Sequence, residues 1–191
     1  SDKAVKSLSD FKGMKIRVPN PTTSRLLQNF GGVPISATVS KAYEMLSKGV
    51  IDGTFFTTDS IVGFKLANFI KNATHVEGGF FNASFFLVMN ERKWGAIPKK
   101  DQKAIERISG EAFARLAGSV WDRKAAEAAK ILKAKGMVSH MLDAENRAAL
   151  AKQAASIEKA WTAAAERKGV DGKAALDYIR AQSAAYTSEK K

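Results

Sequence analysis

The chain changes character near residue 98, and that break narrows the folds open to it. Before it, short runs of β-type residues alternate with short helical stretches, punctuated by Gly, Pro, Asn and Thr. After it, Ala, Lys and Glu dominate and glycine is sparse, which favours helices. Strands alternating with helices of these lengths imply an α/β layer with crossover connections.

In the first part, Lys15-Ile16-Arg17-Val18 alternates as a strand does and is stopped by Pro19-Asn20-Pro21. Thr22 or Thr23 can cap a helix carrying Leu26, Leu27 and Phe30, with Gly31-Gly32 ending it. Residues 33–36 form a short strand candidate. Ser40 can cap a second helix through Ala42, Tyr43 and Leu46, and 50–56 resembles a buried strand with a turn in it. Thr57, Thr58 and Asp59 offer caps for a third helix with Ile61, Val62, Leu66 and Phe69. Strands are predicted over 75–78 and 84–89.

In the second part, the pattern predicts one long helix over 99–135, with Ile105, Ile108, Phe113, Leu116, Val120 and Trp121 on its apolar side. At ~1.5 Å per residue it would measure about 50 Å, long enough to brace two lobes. A break at Gly136 precedes helices over about 143–168 and 172–186. The alanine-rich stripe keeps no clean heptad, so a coiled coil is disfavoured.

Several function classes lose their footing on residue content. With no cysteine, disulfides, thiol catalysis and cysteine metal sites are excluded. His75 and His140, far apart, make a histidine metal centre an unpromising reading. The longest apolar stretch, 85–89 with its flanks, is strand-sized and far below the ~18–20 residues of a membrane span. The first residues, Ser1-Asp2-Lys3-Ala4, lack the apolar core of a signal peptide. No Gly-x-Ser-x-Gly elbow, phosphate loop or dinucleotide fingerprint occurs, so the chain is not read as an enzyme and no cofactor is implied. The net charge of +12 admits a basic helical polyanion- or nucleic-acid-binding protein, whose affinity would fall steeply with salt. The cations are interleaved with acids, however, as in Lys99-Lys100-Asp101-Gln102-Lys103, which is the pattern of a solvated helix face.

Two segments could carry binding chemistry. Arg17 lies near the carboxyl end of a predicted strand with a helix start a few residues on, where open α/β sheets bind ligands. A guanidinium can grip a carboxylate through two parallel hydrogen bonds, and the helix start adds free N–H groups. The alternative is an exposed strand residue in a surface salt bridge. The second segment, Ile51-Asp52-Gly53-Thr54-Phe55-Phe56-Thr57-Thr58, could wall an apolar pocket or simply pack in the core. Trp94, Trp121 and Trp161 read as packing residues.

Three stretches in order, "LSDFKGMKIRVPN", "SKAYEMLSKGVIDG" and "FFLVMNERKWGAIPKKDQKAI", resemble signatures of the DctP-type TRAP solute-binding proteins, over almost the whole chain. The resemblance implies an α/β, periplasmic-binding-protein-like (type II) lobe with a mixed sheet, a long bridging helix and C-terminal helices, the first lobe being incomplete. Residues 1–82 would form most of the second lobe, 83–98 a crossover strand and turn into the first, and 99–191 the bridging and C-terminal helices. It implies a periplasmic, non-enzymatic protein that captures a small organic acid and delivers it to the small and large membrane subunits of a TRAP transporter, with no nucleic-acid partner. Arg17 matches the family arginine that pairs with the substrate carboxylate, and Asn20 a position lining the same site. Phe56 stands where many relatives carry asparagine, the chain reading "DGTFFTT" against a polar run. Val39 falls where Phe is frequent, and Ser84 at a frequent polar contact. Aromatic rings in place of amides point to a monocarboxylate with an apolar or aromatic body. A missing N-terminal portion would leave apolar surface and strand edges open to self-association or to pairing with that portion.

Overall fold

The computed structural model describes residues 2–77, 79–80 and 83–189, of residues 187–189 the backbone alone. Gly78, the last residue of the strand predicted over 75–78, lies outside the described residues.

The chain divides into two compact units, one ending at Leu142 and the other starting at Asp143. The first is built on two small sheets whose strands all run parallel. Strand β1 (Lys15–Val18) lies between β2 (Val33–Ser36) and β3 (Gly53–Thr54), with Arg17 opposite Ile35 on one side and Thr54 on the other. Ile16, Arg17 and Val18 are all buried, so β1 is covered on both faces, as expected of a central parallel strand. Parallel neighbours need crossovers. Helix α1 (Pro21–Asn29) joins β1 to β2, and a 3-10 turn (Val39–Lys41) with α2 (Ala42–Ser47) joins β2 to β3. Fully buried Leu27 anchors α1, and Gly31 at φ +74° takes the left-handed turn that ends it.

After β3 come α3 (Thr58–Gly63), a 3-10 turn (Leu66–Asn68) and β4 (Asn72–His75). Later, α4 (Glu91–Gly95), α5 (Lys99–Ile108) and α6 (Gly110–Ala134) lead to β5 (Val138–Met141), which pairs with β4 in register Asn72 to Val138. Ala42, Ile61, Leu66, Ile70 and Leu132 form one buried cluster, through which the end of α6 packs on α2 and α3. The second unit is the pair α7 (Ala144–Glu166) and α8 (Gly172–Glu189). Asp143 caps α7 by accepting from the Asn146 N–H at 2.8 Å, and Arg180 bonds Glu158 at 2.6 Å. Gly172 is needed there, since a Cβ would sit 2.9 Å from the Thr162 Cα.

Five expectations from the sequence are corrected. The helix predicted over 99–135 is broken: Ser109 is extended (φ −99°, ψ −172°) and Gly110 left-handed (φ +58°), so two helices replace one brace. At ~1.5 Å per residue, the 25 residues of α6 measure about 38 Å. The strand predicted over 50–56 contracts to Gly53–Thr54, its pairing with β1 extended by the Asp52 N–H to Lys15 O (2.7 Å) and Phe55 N–H to Arg17 O (3.0 Å) bonds. No strand forms over 84–89, which is exposed and without a ladder, so the mixed sheet has no antiparallel member among the described residues. The apolar side assigned to the long helix is largely uncovered too. Ile108, Phe113, Leu116, Val120 and Trp121 are exposed, with Phe85 stacked on Trp121 at 4.8 Å. Finally, β5 forms where a simple break was read.

Candidate functional site

Arg17 is buried at the heart of the three-stranded sheet, only 5% exposed. Its Nε–H donates to the carbonyl oxygen of Ala37, just beyond β2, at 2.9 Å. Its Nη1 donates to the carbonyl oxygen of Phe55, just beyond β3, at 3.3 Å. Both neighbours of β1 thus hold the guanidinium by the main chain leaving their carboxyl ends. The guanidinium carbon lies 5.3 Å from the centre of the Phe56 ring, a cation–π contact.

This charge has no acidic partner among the described residues, so the surface-salt-bridge alternative fails. Arg17 is also the only charged side chain among the buried residues described. Burial pulls its pKa down from the usual arginine value, yet an arginine so placed keeps its proton. A guanidinium has five N–H donors, and two serve carbonyls. No fully buried side-chain nitrogen or oxygen lacks a partner among the described residues. Nη2, which serves neither carbonyl, is therefore not completely buried.

Asn20 is exposed and caps α1, its Oδ1 accepting from the Thr23 N–H at 2.9 Å. That corrects the capping role given to Thr22 or Thr23: buried Thr23 instead donates its hydroxyl back to the Asn20 carbonyl at 3.0 Å. Pro21 at the first helical position and Asn20 before it form a strong helix start.

Phe56 is half-buried and touches the core cluster of Ala42 and Leu66 besides Arg17. Phe64, at the end of α3, meets it edge-to-face at 5.8 Å and 90°. Val39 is exposed in the 3-10 turn two residues beyond Ala37. Ser84 is exposed in the 84–89 stretch, and no contact among the described residues joins it to Arg17. The fold thus gathers Arg17 and Phe56, with Phe55 contributing its carbonyl. Ala37 and Phe64 were not singled out from the sequence. Ala37 acts through its backbone, which leaves no mark in sequence; Phe64 was an isolated aromatic in a helical run.

A cavity of about 520 Å³ opens beside this centre. Phe11, Phe55, Phe56, Phe80 and Trp121 form its apolar walls, with Thr57, His75 and Asp122 among its polar lining. Arg17 is not part of the wall, and Phe56 is common to both. Phe80 stacks on Phe55 at 5.1 Å, continuing an aromatic series to Phe11 and Phe30. Among the described residues no group of three His, Asp or Glu could hold a metal ion, and no helix is long and apolar enough to cross a membrane.

The model of the bacterial extracellular solute-binding proteins, family 7 (DctP), matches residues 1–165. The outer membrane transporter protein TsaT of Comamonas testosteroni is 31% identical over 182 residues, 95% of this chain and 54% of TsaT. A TRAP periplasmic solute-binding protein from Bordetella bronchiseptica, crystallised with bound (R)- and (S)-mandelate, superposes with a TM-score of 0.83 at 36% identity, over 94% of this chain and 57% of that one. A TRAP solute-binding protein from Rhodoferax ferrireducens T118, with copurified benzoate, gives a TM-score of 0.89 at 26% identity, over 100% and 60%. The chain spans about half the length of the curated relatives it matches.

Proposed function

The chain belongs to family 7 of the bacterial extracellular solute-binding proteins, the DctP family, and we propose that it forms the carboxylate-gripping part of a periplasmic binding protein serving a TRAP transporter. The solute is a small monocarboxylate with an aromatic or otherwise apolar body, handed on to the small and large membrane subunits. One observation carries this reading: a buried, acid-free guanidinium fixed by two carbonyls, with a phenyl ring against it.

The chemistry favours one carboxylate and no more. A single buried cation is balanced by a single anion, whereas a second carboxylate would enter partly dry surroundings unpaired, at high cost. Phe56 replaces a polar side chain with a surface on which a ring can stack. Mandelate and benzoate in two relatives agree with that preference. Asn20, Val39 and Ser84 are proposed as further contacts. Residues 1–82 would supply most of one lobe and 83–98 the passage to the other. Its remaining part would cover the exposed 85–89 stretch; without it, copies of the chain would associate through that surface.

A polyanion-binding role has less behind it. Surface cations pair locally with acids, as in Lys48 with Glu44 (2.8 Å), Lys124 with Glu127 (2.8 Å) and Lys173 with Asp177 (2.6 Å).

The test is a calorimetric competition screen on the complete protein with benzoate, mandelate, succinate, glucuronate and galacturonate. Tightest binding to an aromatic monocarboxylate is expected. Sugar acids or succinate outcompeting the aryl acids would overturn the reading.

A further inference from the structure

The geometry points to Phe64 as a positioning residue that sets selectivity for aromatic over aliphatic acids by holding the Phe56 ring beside Arg17. This rests on the carboxylate-binding reading of Arg17. Three groups form a series: the Arg17 guanidinium carbon, the Phe56 ring 5.3 Å away, and the Phe64 ring meeting Phe56 at 5.8 Å and 90°. A phenyl ring carries negative charge on its faces and positive charge at its edge, so edge-to-face contact fixes one ring's orientation against the other. The guanidinium is attracted to a ring face but does not determine how the ring is turned about that contact. The core cluster packs against Phe56 from one side, and Phe64 adds the edge-to-face contact that fixes its turn beside Arg17.

Phe64 is itself held firmly. It closes α3, donating its N–H to the Ser60 carbonyl at 2.9 Å. Lys65 follows with φ +60°, the only left-handed non-glycine residue among those described, and turns the chain into the segment anchored by fully buried Leu66. Lys65 bonds the Val62 carbonyl at 3.0 Å, which completes the turn. The Phe64 ring nevertheless stays 40% exposed. A large apolar side chain this open adds little to the core, and its ring contact is with Phe56.

Phe64→Ala, Phe64→Leu and Phe64→Tyr in the complete protein separate the roles. Leu keeps apolar bulk but lacks a ring; Tyr keeps the ring. Benzoate and hexanoate affinities are measured by calorimetry, and the Arg17 Nε–H resonance is followed by NMR without ligand. The benzoate-to-hexanoate affinity ratio is expected to fall about 3–10-fold in Ala and Leu and to hold within about twofold in Tyr. The Arg17 Nε–H resonance shifts in Ala and Leu, as the Phe56 ring current moves, and stays in Tyr. A Leu variant that matches the parent in ratio and resonance overturns the proposal, as does equal weakening of both acids. If the parent binds neither acid, the carboxylate reading fails by itself. The resonance then still decides whether Phe64 orients Phe56 against Arg17.

Discussion

Arg17 donates its Nε–H to the carbonyl oxygen of Ala37 at 2.9 Å, so the middle strand of the sheet grips the segment leaving its neighbour. A lysine has no planar fork with which to hold two carbonyls and still face a carboxylate squarely. Arg17→Lys is therefore expected to be nearly as damaging as Arg17→Ala. Removing one side of a buried charge pair costs ~2–5 kcal/mol, about 30-fold to several thousand-fold in affinity. Calorimetry with benzoate measures it in the complete protein. Micromolar affinity surviving in Arg17→Ala would take this residue out of the mechanism.

Gly32 marks the tightest approach beside β2. A Cβ placed there would lie 2.4 Å from Leu27 Cδ1 and 2.7 Å from its Cγ, with the Phe11 carbonyl oxygen at 3.2 Å. Leu27 is fully buried and has nowhere to retreat. Gly32→Ala should lower unfolding stability by about 1–3 kcal/mol, the usual cost of overpacking. Urea denaturation reads this out. An unchanged midpoint would mean that α1 shifts freely against β2.

The first half of the fold was legible because local signals there agree with one another. The alternation at 15–18, the Pro-Asn-Pro stop and the double glycine after Phe30 describe β1 and α1, whereas Arg17's place at a strand end left an anion site and a surface salt bridge both open, and only the family resemblance favoured the first. Signals failed where long-range pairing decides. Phe85 to Met89 have strand-type side chains, but a strand needs a hydrogen-bonded neighbour, and none is available among the described residues. β5 went unread for the opposite reason. Val-Ser-His-Met is a weak pattern between helices, and its partner β4 lies more than 60 residues away. The interruption at Ser109-Gly110 was masked by continuing apolar periodicity from Ile105 to Phe113, while the break itself lies in two backbone conformations.

Asp10 ties the first ordered turn together, its Oδ2 accepting from the N–H groups of Lys6 and Ser7, each at 2.9 Å. The Lys6 bond, then the Ser7 bond, hold its carboxyl pKa below the ordinary value. Its contribution to stability is present above the unfolded carboxylate range, ~3.9, and is lost as pH falls through the lower folded value. In acid titrations of unfolding, Asp10→Asn should lose stability at neutral pH and show a shallower fall below about pH 4 than the parent. Parallel curves for the two proteins would mean that the Asp10 turn is not coupled to folding.

Phe86 is 86% exposed, in a stretch where Phe85, Leu87, Val88 and Met89 are exposed as well. An apolar run of this kind, with no ladder among the described residues, presents both side-chain surface and backbone groups to any matching edge. Its two proposed fates make opposite predictions for one substitution. In the chain as it stands, Phe86→Ser removes a large exposed ring and is expected to reduce association, with little effect on unfolding. In the complete protein, where the remaining half would cover the stretch, the same change deletes a buried ring and should cost about 3–5 kcal/mol, the range for truncating a core phenylalanine. Light scattering on the first and urea denaturation on the second supply the two readings. Unchanged association together with unchanged stability would mean that this surface faces water in both states, and the proposed covering of 85–89 would fall.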